Sequence, residues 1–265
     1  MHAPHDASPL DWSKTHAAIW RSRRGTLRPV HRLARVALDS LLGVDDQKAA
    51  LVRNTLRFLE GRPANNVLLW GSRGTGKSSL IKGLLNAFAP EGLRVIEVDK
   101  DDLVDLQEIV DQIYDQPYRY LIFCDDLSFD SGESGYKALK TVLEGSIELP
   151  PENVLIYATS NRRHLMPEYM EENQQAHVVK TELHHAESIE EKIALSDRFG
   201  LWLSFYPIDQ PTYLDMIDQH FADWQGDREH LHRLAIRFAL QRGGRSGRAA
   251  WQFYRQYTGV TELEP

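Results

Sequence analysis

The chain has 265 residues, 26% charged and 42% hydrophobic, with a net charge of −7. That is the composition of a soluble globular protein, one large domain or a domain with a smaller companion, and its acidic sum argues against a generic nucleic-acid binder. No apolar run approaches the roughly 20 residues of a membrane span, the first residues lack the apolar core of a signal peptide, and the single cysteine, Cys124, excludes an intrachain disulfide. A reducing, cytoplasmic setting is therefore expected.

Residues 1–40 read as an N-terminal basic extension. Between Trp12 and Leu38 lie Lys14, Arg21, Arg23, Arg24, Arg28, Arg32 and Arg35, with no acidic residue. This 14–35 arm is a solvated or subunit-packed segment, or else a contact for nucleic acid, an anionic surface or an acidic partner. Leu10–Trp20 is expected to be helical, with Trp12 and Trp20 as docking points. Leu33, Val36, Ala37 and Leu41 suggest a short amphipathic helix. Gly43-Val-Asp-Asp-Gln47 then opens a helix carrying Leu51, Leu56, Phe58 and Leu59, which Gly61-Arg-Pro63 ends.

Val67–Trp70 is a short apolar strand, and Gly71-Ser-Arg-Gly-Thr-Gly-Lys-Ser78 matches G-x-x-x-x-G-K-[ST]. Leu80, Ile81, Leu84, Leu85 and Phe88 follow at helical spacing. Strand, glycine loop and helix start are the parts of a nucleoside-triphosphate P-loop. The backbone of Gly71, Ser72, Arg73, Gly74, Thr75 and Gly76 would cradle phosphate, helped by the helix start at Lys77, Ser78 and Ser79. Lys77 would reach the β and γ phosphates, and the Ser78 hydroxyl would bind Mg²⁺. The turn before the preceding helix is where the base would be held, with Val44 as a candidate wall. Asp45 or Asp46 as a plain helix cap is the alternative.

Further strands are expected at Leu93–Val98, Tyr120–Cys124, Asn153–Ala158 and Phe199–Phe205, and helices at Asp101–Tyr114, Tyr136–Leu143 and Ile189–Leu195. Residues 167–187 read as an exposed polar insertion. After Pro207 the pattern is all helical: Tyr213–Phe221, His230–Gln241 and Gly247–Tyr257. Apolar strands alternating with helices mean an α/β fold with a parallel sheet covered on both faces. Ligands of such sheets sit at the carboxyl ends of the strands. Polar residues end several strands there.

Asp125 closes the strand Tyr-Leu-Ile-Phe-Cys and is placed to bind Mg²⁺. Asp126 would orient or deprotonate the attacking water. Its side chain is one methylene shorter than the more common Glu, so slow turnover is one expectation. Asn161, with Thr159 and Ser160 beside it, would sense the γ phosphate and hold the water; an Asx turn is its alternative. Arg198, in Ser-Asp-Arg-Phe-Gly, could act on a neighbour's nucleotide or pair with Asp197 or Glu191. Arg248, preferred over Arg245, could reach back over the phosphates from the last helix. His177, His184 and His185 invite a metal reading, but no second cluster at ligand spacing supports it.

With these residues assembled, the chain resembles the AAA+ ATPases over about residues 40–258. Gly43–Gln47 is similar to the segment before the P-loop, Gly71–Ser78 to Walker A, Ile122–Asp126 to Walker B and Ala158–Arg162 to sensor 1. Ser196–Gly200 is similar to the arginine-finger box and Gly244–Ala250 to sensor 2. Closer still, N-V-L-L-W-G-S-R-G-T-G-K-S-S-L, F-C-D-D-L-S-F, Y-A-T-S-N-R-R-H-L and S-D-R-F-G-L-W-L-S-F resemble a bacterial family of AAA+ ATP-binding proteins of unknown physiological role. The resemblance implies a five-stranded parallel sheet between helices in residues 41–206 and a helical lid in 207–265. It also implies ATP, ADP and Mg²⁺ as ligands, and a homo-oligomeric ring such as a hexamer. Asp-Asp at 125–126 also occurs in initiator and helicase-loader branches. The implied function is ATP hydrolysis at subunit interfaces to switch or remodel a macromolecular partner. An ATP-gated, helicase-loader-like nucleic-acid protein and a monomeric small-molecule kinase are the alternatives.

Overall fold

Seven strands form one sheet in the computed structural model, which describes residues 10–128, 134–144, 151–161 and 198–259. They are β1 (Ala17–Arg21), β2 (Thr26–Pro29), β3 (Val67–Gly71), β4 (Leu93–Glu97), β5 (Arg119–Cys124), β6 (Val154–Ser160) and β7 (Leu201–Phe205), in the order β2-β1-β4-β5-β6-β3-β7. Every neighbouring pair is parallel except β1 with β2, an antiparallel hairpin. The five expected parallel strands are present. The sheet is larger by the hairpin, which comes from within the stretch read as a separate basic extension.

The expected helix over Leu10–Trp20 is thus replaced by a strand, and the cause is tertiary. The edge of β4 offers unpaired backbone groups, and β1 takes them in register, Ala17 opposite Val95 and Ile19 opposite Glu97. Arg94 is buried and donates to the carbonyls of Trp12, Ala89 and Leu93 at 2.8–2.9 Å. Trp12 meets Tyr120 edge-on at 4.9 Å, and Trp20 Nε1 donates to Asp105 at 2.9 Å. Both tryptophans are docking points, but for a strand. The new edge, β2, carries the exposed Arg28 and ends in Pro29, features that discourage further strand pairing.

The helices are α1 (Asp45–Leu59), α2 (Lys77–Phe88), α3 (Leu106–Asp111), α4 (Ser134–Glu144), α5 (Gln210–His220), α6 (Arg228–Gln241) and α7 (Gly247–Tyr257). The helix expected over Leu33–Leu41 is instead an extended strap with one 3-10 turn, Leu38–Ser40. The helix expected over Asp101–Tyr114 is split. A 3-10 segment, Lys100–Asp105, starts on the Asp99 carboxylate, which accepts from the Asp101 N–H, and α3 follows.

Apolar side chains fall in three clusters. One lies on the sheet face covered by α3, with Trp12, Trp20, Leu68, Ile122 and Ile156. A second fills the opposite face under α1 and α2, with Leu51, Leu69, Leu84, Phe123 and Tyr157. There Tyr157 Oη accepts from Asn54 Nδ2 at 2.9 Å and shares a 3.0 Å hydrogen bond with Thr55. Burial pushes the Tyr157 phenol up to about 12. The third cluster belongs to α5, α6 and α7, centred on Tyr213, Phe238 and Phe253. Cys124 lies wholly in the first cluster, its thiol pushed up to about 12 by burial, as expected of a core residue. No described helix is long and apolar enough to cross a membrane.

Candidate functional site

Because β3, β5 and β6 are parallel, their carboxyl ends open on one edge of the sheet. The loop after β3 runs into α2, whose first turn has no side-chain cap. Its N–H groups, left without intrahelical partners, suit an anion. Lys77 is buried and donates to the carbonyls of Gly71 at 2.8 Å and Ser72 at 2.7 Å, and to Asn161 Oδ1 at 3.3 Å. Burial holds its pKa below the ordinary lysine value, opposed by the charges of Asp125 and Asp126. Thr75 Oγ1 donates to the Ser72 carbonyl at 2.8 Å, bracing the loop.

Across the cleft, the β5–β6 register places Cys124 opposite Ala158, so the next residues, Asp125 and Thr159, also meet. Asp125 Oδ1 accepts from Ser78 Oγ and from Thr159 Oγ1, each at 2.6 Å. The hydroxyl of Ser78 and this carboxylate are hard oxygen donors side by side, which fits Mg²⁺. Asp126 takes a left-handed backbone conformation, φ +54, that few side chains tolerate. Its N–H donates to Thr159 Oγ1 at 2.9 Å, and the next N–H, of Leu127, to the Thr159 carbonyl at 2.6 Å. The Asp126 carboxylate accepts from Asn161 Nδ2. Thr159 therefore holds both aspartates, a role larger than its expected place beside Asn161.

The helical C-terminal segment closes the cleft. Ser246 caps α7 by accepting from Ala249 N at 3.0 Å, and the Gly247 N–H donates to the Gly74 carbonyl at 2.9 Å. Gly74 has φ +74, and a Cβ there would lie 2.8 Å from Ser246 Cβ, so only glycine permits this approach. Arg248 lines the cleft, whereas Arg245 points its Nε at the Ile208 carbonyl, 3.3 Å away. The cleft has a volume of about 1130 Å³ and is also lined by Val44, Arg73, Ser79, Lys82 and Arg35. Val44 is the buried residue preceding α1. The helix makes no side-chain cap at its start, and Asp45 pairs with Lys48 at 2.9 Å.

Sequence reasoning missed the aromatic wall on the lid side. His220 stacks on Tyr254 with centroids 5.4 Å apart, and the exposed Trp251 lies 5.4 Å from both rings. His220 and Trp251 line the cleft. The available signal was Trp251 three residues after Arg248, which puts both on one helix face. Arg198 is exposed, just before β7, and is not among the cleft-lining residues. The expected helix at 189–195, the insertion at 167–187, Asp197, Glu191 and the histidines at 177, 184 and 185 lie outside the described residues.

Among solved structures, the Holliday junction branch migration motor RuvB of Thermotoga maritima aligns with a TM-score of 0.54 and 15% identity, over 83% of this chain and 63% of that one. One of its point variants gives the same TM-score, identity and coverage. The chaperone protein ClpB of Vibrio vulnificus and that of Vibrio cholerae are each 28% identical over 120 residues, 38% of this chain and 14% of ClpB. The chain thus spans about one seventh of the curated relatives it matches, and under two thirds of the RuvB chain. The P-loop, the parallel-dominated sheet and the helical C-terminal segment are those of the AAA+ fold. A family model matches residues 13–261, and the chain accordingly belongs to the family described as "Protein of unknown function (DUF815)", with an AAA+ architecture.

Proposed function

We propose that this protein is an ATP-hydrolysing AAA+ switch that acts on a macromolecular partner and completes its active site between subunits. One observation carries the reading: Lys77 and Ser78 of α2, Asp125 and Asp126 after β5, Asn161 after β6 and Arg248 of α7 meet around one cleft. Lys77 and the first-turn N–H groups of α2 bind the β and γ phosphates. Ser78 and Asp125, in contact with each other, would hold Mg²⁺, which would offset the charge of the phosphates. Asp126, oriented by Asn161, positions the attacking water and receives its proton. Asn161 touches both Lys77 and Asp126, so it can relate phosphate occupancy to the position of the base.

Arg248 reports the phosphates to the lid through α7. Arg198, outside its own cleft, acts on the site of a neighbouring copy, a contribution worth roughly 10³–10⁵ in rate in comparable systems. A chaperone and a branch migration motor among the similar proteins support a macromolecular partner over a metabolite. ATP turnover that rises faster than protein concentration, and is lost in Lys77→Ala, is the expected result. Full turnover in Lys77→Ala would remove the P-loop from the mechanism.

A second reading is favoured by the hairpin, where Arg21, Arg23, Arg24 and Arg28 are exposed. These side chains suit nucleic-acid phosphates. Binding would then weaken steeply with salt and be lost when these arginines are replaced together.

A further inference from the structure

The strap after β2 carries charge that the P-loop account does not use. Asn86, near the end of α2, donates its Nδ2 to the carbonyls of Ala34 at 2.8 Å and Val36 at 3.1 Å. These bonds grip the backbone on both sides of Arg35. Leu38 then lies so close to α2 that a Cβ on Gly83 would be 2.7 Å from its Cδ2. Lys48 Nζ holds the far end of the strap through the Leu41 carbonyl at 3.3 Å. Fixed in this way, Arg35 lines the nucleotide cleft together with Lys82 of α2. Among the described residues, neither cation has a carboxylate partner.

We propose that Arg35 and Lys82 form a second cationic wall that binds the α phosphate of the nucleotide, making the strap part of the site. The inference rests on the nucleotide reading above. Lys77 and Ser78, in the first turn of α2, serve the β and γ phosphates. Lys82 lies four residues beyond Ser78, about 6 Å further along the helix. Ser79, Lys82 and Asn86, spaced three and four apart, share the face that meets the strap. A triphosphate leaving the first turn along this wall presents its α phosphate next, and a planar guanidinium suits such an anion. The strap is joined to the basic hairpin by the Val30 N–H, which donates to the Ala17 carbonyl at 2.8 Å.

The test is calorimetric titration of the full chain with Mg-ATP and Mg-ADP, in wild type, Arg35→Ala, Arg35→Lys and Lys77→Ala. Amide exchange over residues 30–42 is followed in parallel. Arg35→Ala is expected to weaken ATP and ADP alike, by about ten-fold or more. Arg35→Lys should recover part of that loss. Nucleotide should protect the strap amides in wild type and not in Arg35→Ala. Arg35 is exposed, so thermal unfolding without nucleotide should stay at the wild-type value.

Unchanged affinity in Arg35→Ala, with wild type binding and Lys77→Ala not, would overturn the role of Arg35 and leave the P-loop reading standing. Loss confined to ATP would overturn the α-phosphate assignment, since only the γ phosphate distinguishes the two ligands. No binding by wild type would overturn both.

Discussion

Thr159→Val tests whether one hydroxyl organises Asp125 and Asp126, the two carboxylates of the proposed catalytic site. Thr159 is 2% exposed, and its Oγ1 both donates to Asp125 and accepts from the Asp126 N–H. Valine keeps the shape and suits a strand, so the backbone of β6 should persist. The bond to Asp125, whose carboxylate is exposed, is worth about 1 kcal/mol after competition with water. Leaving the part-buried Asp126 N–H without an acceptor costs about 1–2 kcal/mol. Urea unfolding should therefore show a loss of about 2–3 kcal/mol. Asp126 also loses a bond that holds its left-handed backbone, so its carboxylate should drift. A displacement of about 1 Å can cost up to a hundred-fold in rate. Thr159→Ser keeps both bonds, loses one methyl worth about 1 kcal/mol, and should retain turnover. A Thr159→Val variant with wild-type stability and wild-type ATP turnover would refute the reasoning.

Other perturbations probe the lid and the cleft wall. Gly74→Ala places a methyl against Ser246 in a backbone conformation unfavourable to alanine, so ATP affinity should fall by about ten-fold while the unfolding midpoint changes less. Equal affinity in equilibrium dialysis would show that α7 does not need to touch the loop. Burial lowers the pKa of His220 from 6.5, so the unfolded chain takes up the proton first as pH falls. Stability from this group is therefore complete above pH 6.5 and declines below it, toward the lower folded value. His220→Gln should flatten that decline in melting curves; an identical slope would show that His220 does not cause it.

The sequence made much of this legible where burial was continuous. Val67–Trp70 and Tyr120–Cys124 are covered on both faces of the sheet, so they read as unbroken apolar runs. The lid helices were readable from the apolar spacing of their packed faces, but two were read as starting at Tyr213 and His230, whereas the Asp209 and Asp227 caps start them at Gln210 and Arg228. The hairpin was not, because Arg-rich composition masks Ala17–Arg21 and its partner, β4, pairs at a separation of 78 residues, Ala17 with Val95. Thr159 looked incidental until the β5–β6 register set it against Asp125. Arg35 was one charge among several, and only the grip of Asn86 singles it out. Arg248 was preferred over Arg245 in the sequence, and the start of α7 on Ser246 puts Arg248 on the cleft while Arg245 donates to the Ile208 carbonyl.

The most direct measurement of the shared-site account mixes two variants, each expected to be inactive. Lys77→Ala lacks a nucleotide grip but keeps Arg198 for its neighbour. Arg198→Ala keeps the grip but gives its neighbour nothing. In a random one-to-one mixture about a quarter of the interfaces pair an intact Lys77 with an intact Arg198. ATP turnover should then reappear at about a quarter of the wild-type rate on mixing. Full turnover by Arg198→Ala alone, or no recovery in co-assembled mixtures, would contradict the claim that Arg198 completes a neighbour's site.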